Sequence, residues 1–150
     1  MFIKEAELFH DIPSHIIDEI AAVAEEEILP AGQVVFRAGE VAESLYILED
    51  GWVNLAVGGA GLLSMPVSPG DVFGWSALVE PNQYTASAEC RTESTVIKVD
   101  ANRLMHILEK HPAEGFKVMR RLAGLIASRL LRSYQEIVGS RETSQMPSYG

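Results

Sequence analysis

Residues 69–88, Pro-Gly-Asp-Val-Phe-Gly-Trp-Ser-Ala-Leu-Val-Glu-Pro-Asn-Gln-Tyr-Thr-Ala-Ser-Ala, carry the arrangement in this chain best suited to holding an anion. Pro69 and Gly70 signal a turn, and Val72-Phe73 ends a strand. Gly74 then permits a sharp change of direction at little steric cost. Trp75 to Val79 has room for one short helical turn, which Pro81-Asn82 stops. Tyr84 to Ala88 alternates polar and small apolar residues, as a strand does. A glycine, the amides of a helix N-terminus at Ser76 and Ala77, and the hydroxyls of Thr85 and Ser87 together make a candidate phosphate cradle. Unpaired N–H groups and the positive end of a helix dipole both favour a negative charge there. The same residues also suit a plain turn with a helical linker between two strands, and residue types alone do not separate the two readings.

The elements that must position this stretch follow from the rest of the chain. At 150 residues, 47% hydrophobic and 22% charged, it suits one globular domain with a full core. Ile12-Pro13-Ser14 opens a helix, and Ile16, Ile17, Ile20 and Val23 recur at helical spacing, so a helix is expected over 14–25, ending on Glu25-Glu26-Glu27. Short strands follow between turn signals: Ile28-Leu29, Gln33–Arg37, Leu45–Leu48, Trp52–Val57, Leu62–Val67, Val72-Phe73, Tyr84–Ala88 and Thr95–Val99. Asp50-Gly51 is the strongest hairpin signal and predicts that Trp52–Val57 pairs back on Leu45–Leu48. Gly58-Gly59-Ala60-Gly61 marks the next turn. About eight evenly spaced strands imply a mainly β fold, an eight-stranded jelly roll or small barrel. Asp100 caps a helix over 101–109, and Pro112 opens a long one over 112–138. Residues 1–140 form the domain, and 141–150 read as a loose tail.

Charge and composition exclude several classes. The net charge of −9 argues against direct nucleic-acid binding, which needs a basic surface. Lys117, Arg120, Arg121, Arg129, Arg132 and Arg141 gather basic charge in the last third, and the ordinary reading is the solvated face of a helix. No apolar run approaches the roughly 20 residues of a membrane span. The N-terminus lacks a signal-peptide pattern, and the single Cys90 forms no internal disulfide, so a cytoplasmic location with no membrane partner is expected. Cys90 reads as a core residue on a strand. On the long helix, Phe116, Ala123, Ala127, Leu130, Tyr134 and Ile137 fall close to heptad a and d positions, beside a second stripe of Met119, Leu122, Ile126 and Ser133. One stripe covers the barrel, and the other predicts a homodimer along this helix.

Three segments carry a family resemblance. Pro30-Ala31-Gly32-Gln33-Val34-Val35-Phe36-Arg37-Ala38-Gly39-Glu40, Leu45-Tyr46-Ile47-Leu48-Glu49-Asp50-Gly51-Trp52-Val53 and Pro69-Gly70-Asp71-Val72-Phe73-Gly74 together resemble the cyclic nucleotide-binding domain, from about Leu8 to Val138. This is the sensor module of the catabolite activator protein, of cAMP-dependent kinase regulatory subunits and of gated channels. The resemblance implies a jelly roll with an N-terminal helix, a long C-terminal helix and a phosphate-binding cassette. Gly74, Trp75, Ser76, Ala77, Tyr84 and Thr85 then fall at the cassette's ligand positions, and Ser133 and Tyr134 at the base-contacting positions of the long helix.

The cassette departs from the family at two places. Trp75 stands where the family has the Glu that binds the ribose hydroxyl, and Tyr84 where it has the Arg that pairs with the cyclic phosphate. A charge-assisted hydrogen bond contributes about 1.5–3 kcal/mol, so losing both costs roughly 3–6 kcal/mol, or about 10²–10⁴ in affinity. Ordinary cAMP is therefore expected to bind weakly, with Trp75 stacking or Arg91 swinging in as compensations. Tyr84→Arg with Trp75→Glu is expected to strengthen binding.

The implied function is a regulatory module that senses a cyclic nucleotide (cAMP or cGMP) or a related small anion and signals through its C-terminal helix to an effector protein. The alternative is a degenerate, non-binding relative serving as a dimerisation or protein-interaction unit. In the catabolite activator protein a helix-turn-helix domain follows the long helix; here the sequence stops first, so a sensor without an effector on the same chain, or a piece of a longer protein, is expected. A third reading, a cupin-like metal enzyme on a jelly roll, needs histidines converging inside the barrel. His10, His15, His106 and His111 all lie outside the strand region. No Ser/His/Asp or paired-carboxylate arrangement stands out either, so no enzymatic activity, catalytic residue or metal is expected.

Overall fold

The computed structural model describes residues 3–58 and 63–140, with the side chain of Ser140 left aside. The tail expected over 141–150 and part of the turn expected over 58–61 lie outside the described residues. Eight strands form two antiparallel four-stranded sheets: β1 (Ala24–Leu29), β2 (Val34–Phe36), β3 (Ser44–Asp50), β4 (Val53–Val57), β5 (Leu63–Val67), β6 (Val72–Phe73), β7 (Ser87–Cys90) and β8 (Ser94–Asp100). One sheet has the order β1-β8-β3-β6, the other β2-β7-β4-β5. Helices flank this jelly roll: α1 (Ser14–Ala22), α2 (Ala101–Lys110) and α3 (Pro112–Ser140).

Two expectations fail for the same reason, that a strand's partner is chosen by the whole fold. The Asp50-Gly51 turn closes no hairpin. β3 pairs with β8 and β6, while β4 pairs with β5 and β7, so the turn carries the chain from one sheet to the other. Gly51 is needed there on two counts. Its φ is +101°, and a Cβ would run into Ser94 Oγ and the Glu93 carbonyl. The acidic run Glu25-Glu26-Glu27 is likewise not the end of a helix. α1 stops at Ala22, and the three glutamates lie in β1 opposite Lys98, Ile97 and Val96 of β8. β1 is an edge strand, where charged side chains face water and discourage further pairing. β7 starts at Ser87, so Tyr84 to Ala86 precede the strand rather than open it.

The core lies between the sheets and under the helices. β3 is buried continuously from Ser44 to Leu48. Its Tyr46 joins an aromatic cluster drawn from both sheets: Phe36 stacks on Tyr84 with ring centres 3.8 Å apart, and Tyr46 stacks on Phe73 at 5.3 Å. Cys90 is buried in β7, and burial pushes its thiol up. Ile3, Leu8 and Phe9 of the N-terminal segment are fully buried, and the Glu7 amide donates to the Gly70 carbonyl at 3.2 Å, tying that segment to the turn before β6. The Asp100 side chain accepts from the Arg103 amide at 3.0 Å and caps α2. At the α2–α3 elbow, His111 Nε2 lies 2.7 Å from Glu19 of α1, whose other oxygen pairs with Lys110. The helix α3 leaves this pinned elbow, and its Arg129 and Ser133 reach Val72 of β6 and Met65 of β5.

Candidate ligand cleft

Gly74 adopts φ +75° and begins a single 3-10 turn over Trp75–Leu78. A Cβ on Gly74 would lie 3.2 Å from both Phe36 and Tyr46, so a side chain here would strain the left-handed backbone and press on the aromatic cluster. Asn82 then ties the loop down. Its side-chain amide lies within hydrogen-bonding distance of three carbonyls, Ser76 at 3.3 Å, Ala77 at 3.1 Å and Val79 at 3.0 Å. Asn82 itself takes φ +59°, a conformation that asparagine tolerates better than most residues. The sequence marked Asn82 only as a stop signal; its NH₂ holds the cassette closed on itself.

A cleft of about 210 Å³ opens between this loop, the second sheet and α3. The structure brings Gly74, Trp75, Ser76, Tyr84, Thr85 and Ser133 to its walls. Ala77 and Tyr134 stand outside the lining. The Ala77 amide is committed to the Gly74 carbonyl at 3.3 Å, closing the 3-10 turn. Apolar walls come from Phe36, Leu55, Met65 and Ile126. Arg91 lines a different concavity, with Arg37 and Asn54 on the second sheet, and does not reach this cleft.

Tyr84 fills a structural place. It is buried, stacked on Phe36, and its hydroxyl donates to the Ser44 carbonyl at 2.6 Å. Burial pushes its phenol up, so it stays a neutral donor. An arginine at this position would give up the stack on Phe36 and the bond to Ser44, so Tyr84→Arg changes packing as well as adding a cation at the cleft.

The cation at the cleft comes from a residue that the sequence placed on a solvated face. Arg129 of α3 is only 8% exposed. Its guanidinium carbon sits 4.7 Å from the centre of the Trp75 ring, and Nη2 donates to the Val72 carbonyl at 3.2 Å. Nη2 also stands 3.8 Å from Glu7 Oε1 and 4.0 Å from Asp71 Oδ2, ion-pair distances longer than a hydrogen bond. Burial pulls the guanidinium below its ordinary range, opposed by Glu7 and Asp71. Burial first, and then the neighbouring Asp71 carboxyl, push Glu7 up to about 7. No periodicity could have found Arg129, because helical spacing tells which residues share a face but not what that face meets. On the same face one turn on, the Ser133 hydroxyl donates to the Arg129 carbonyl at 2.9 Å.

Comparison with known proteins agrees with this architecture. A family model described as "Cyclic nucleotide-binding domain" matches residues 26–111. The Cyclic AMP receptor protein of Thermus thermophilus is 24% identical over 137 residues, covering 89% of this chain and 62% of that protein. Glutaminase 2 of Bradyrhizobium diazoefficiens is 30% identical over 125 residues, 80% of this chain but 19% of the enzyme. The chain thus spans less than two thirds of these relatives. Among solved structures, a putative cyclic nucleotide-binding protein from Geobacter metallireducens superposes with a TM-score of 0.75 at 30% identity, covering 85% of this chain and 95% of its own. The Thermus thermophilus catabolite activator protein superposes at 0.69 with 22% identity, covering 88% and 62%, a likeness of fold. The family match spans more than half of the sequence, and the chain belongs to the cyclic nucleotide-binding domain family.

Proposed function

We propose that this protein is a regulatory sensor whose cleft takes a cyclic nucleotide, cAMP or cGMP, or a related small ligand bearing an anion, and which signals through α3. The observation that carries this reading is Arg129, a buried cation at the wall of an otherwise mainly apolar cleft. Burying a guanidinium is costly, and its carboxylate partners here are held beyond hydrogen-bond distance. Apolar walls with a few convergent polar groups are the ordinary form of a small-molecule site. Gly74, Trp75, Ser76 and Thr85 would flank the ligand on one side, and Ser133 on the other. The amide of Ala77 and the Tyr134 side chain, which the family resemblance also suggests, stand further from the cleft.

Signalling follows from the placement of Arg129. A ligand that engages it pulls directly on α3 with no intermediate element. Away from the cleft lining, α3 exposes Phe116, Leu131 and Ile137, whereas Leu130 of the expected seam stripe lines the cleft. A homodimer seam along that face would carry the movement to a second copy or to an effector protein. No helix among the described residues is long and apolar enough to cross a membrane. The proposed role is that of a cytoplasmic regulator without catalytic activity.

One observation favours a second reading, a non-binding dimerisation or interaction module. The cleft is smaller than the roughly 300–1,000 Å³ usual for ligand sites, and Trp75 takes up part of it. Isothermal titration of cAMP and cGMP separates the two. The sensor reading expects a saturable, one-per-chain isotherm, and a ligand at 100 times its Kd raises stability by about 2.7 kcal/mol. No heat and no thermal shift at millimolar nucleotide would hand the protein to the second reading.

A further inference from the structure

Arg129 faces two carboxylates on its inner side and the cleft on the other. Glu7 comes from the N-terminal segment, and Asp71 from the turn before β6. Among the described residues, Glu7 Oε1 is buried and accepts no hydrogen bond, although a guanidinium stands 3.8 Å away. Two acids share one arginine, so when all three are ionised the cluster carries a net negative charge next to the cleft wall.

We propose that the Glu7–Asp71 carboxylate pair is an internal competitor for Arg129, and that an anionic group entering the cleft takes over this guanidinium as Glu7 gains a proton. The inference rests on the reading of the cleft as a site for an anion-bearing ligand. It goes further in coupling that site to the N-terminal segment and to pH.

The direction of the coupling follows from charge. An anion near Arg129 repels the Glu7 carboxylate and weakens its hold on the arginine, and both effects favour the protonated acid. Glu7 already titrates near 7 because of burial and of Asp71, so the proton is available at physiological pH. Affinity for an anion should therefore rise as pH falls through this range, by linkage. Other charged groups face the cluster. Arg132 lies next to Arg129 on α3, and His10, Asp11 and Arg121 line the groove on the outer side of Glu7. His10 is the imidazole among these groups, so a variant is needed to assign the effect.

The test is calorimetric titration of the whole protein with cAMP, cGMP and inorganic phosphate between pH 6 and 8, in buffers of different ionisation enthalpy. Wild type should bind the best of these probes several-fold more tightly at pH 6 than at pH 8, with net proton uptake. Glu7→Gln, which mimics the protonated acid, should bind at pH 8 as wild type does at pH 6, with the slope flattened. Where Glu7→Gln folds poorly, His10→Asn answers the same question: unchanged proton uptake in that variant leaves the uptake with Glu7, and its loss would overturn the proposal. A pH-independent wild-type affinity would overturn the competition while leaving the cleft a binding site. So would a Glu7→Gln variant that keeps the slope, since another group would then be its source, or one that binds more weakly at every pH, since Glu7 would then be a support. Silence from all three probes at every pH removes the ligand reading and this inference with it.

Discussion

The two walls of the cleft differ in where their polar groups are spent. On the cassette wall, internal structure has claimed several of them: the Tyr84 hydroxyl goes to Ser44, the Ala77 amide to Gly74, and the Asn82 amide to the loop's own carbonyls, which leaves Ser76 and Thr85 at the cleft. On the α3 wall, Arg129 keeps a guanidinium whose only hydrogen bond among the described residues is to Val72, with its carboxylate neighbours at 3.8 and 4.0 Å. The family cassette places both key charges in the loop. Here the loop keeps the hydroxyl residues Ser76 and Thr85 at the cleft but no charge, and the buried cation among the described residues, Arg129, sits on the long helix. A ligand held by such a site would couple to α3 more directly than one held by the loop.

The comparison can be broken most forcefully at Tyr84. If the cassette wall is structural, Tyr84→Arg should lower stability by about 3–5 kcal/mol, the usual cost of removing a buried aromatic, with an unpaired charge added. Urea denaturation measures this. A variant as stable as wild type that gains tenfold in cAMP affinity would mean that the cassette wall is still a working phosphate site.

The inner and outer faces of α3 make the next contrast. Ala127 and Leu131 lie on the exposed face and away from the cleft. If that face is a homodimer seam, Ala127→Glu with Leu131→Glu sets like charges across it, at a cost of several kcal/mol. Sedimentation should then show monomers, with the melting of each monomer changed little. Wild type that is monomeric at tens of micromolar would remove the seam.

A sharper test of the helix wall is Arg129→Gln. Losing a charge-assisted contact of about 1.5–3 kcal/mol should cut affinity for cAMP or cGMP by roughly 10–100-fold. Titration at fixed salt reads this, and an unchanged Kd would return the anion to the cassette.

The smallest effect is on stability against pH. Glu7 has a folded value of about 7 against 4.5 for the free side chain, so the folded state holds more protons between those values. Wild-type stability should therefore fall relative to Glu7→Gln as pH rises through that window. The two proteins should melt alike below about pH 4.5, and the variant should lead by roughly 1–2 kcal/mol above about pH 7. Parallel melting curves at all pH values would mean that the Glu7 carboxylate is better satisfied than its surroundings indicate.

Local chemistry made part of this protein legible from its sequence alone. The left-handed turn at Gly74, the Asp100 cap, the Pro112 helix start and the spacing of short strands follow from backbone sterics and nearest neighbours, and three motif segments together pointed to the family. Tertiary structure decided what depends on residues far apart in the chain. Sheet partners are chosen by total burial, so a strong hairpin signal at Asp50-Gly51 became a crossover and three glutamates became an edge strand. The surroundings of a charge are set by whatever packs against it. Arg129 shares its sequence pattern with the solvated arginines around it, and only the approach of Glu7 from the N-terminal segment and of Asp71 and Trp75 from the cassette stretch made it the buried cation at the cleft.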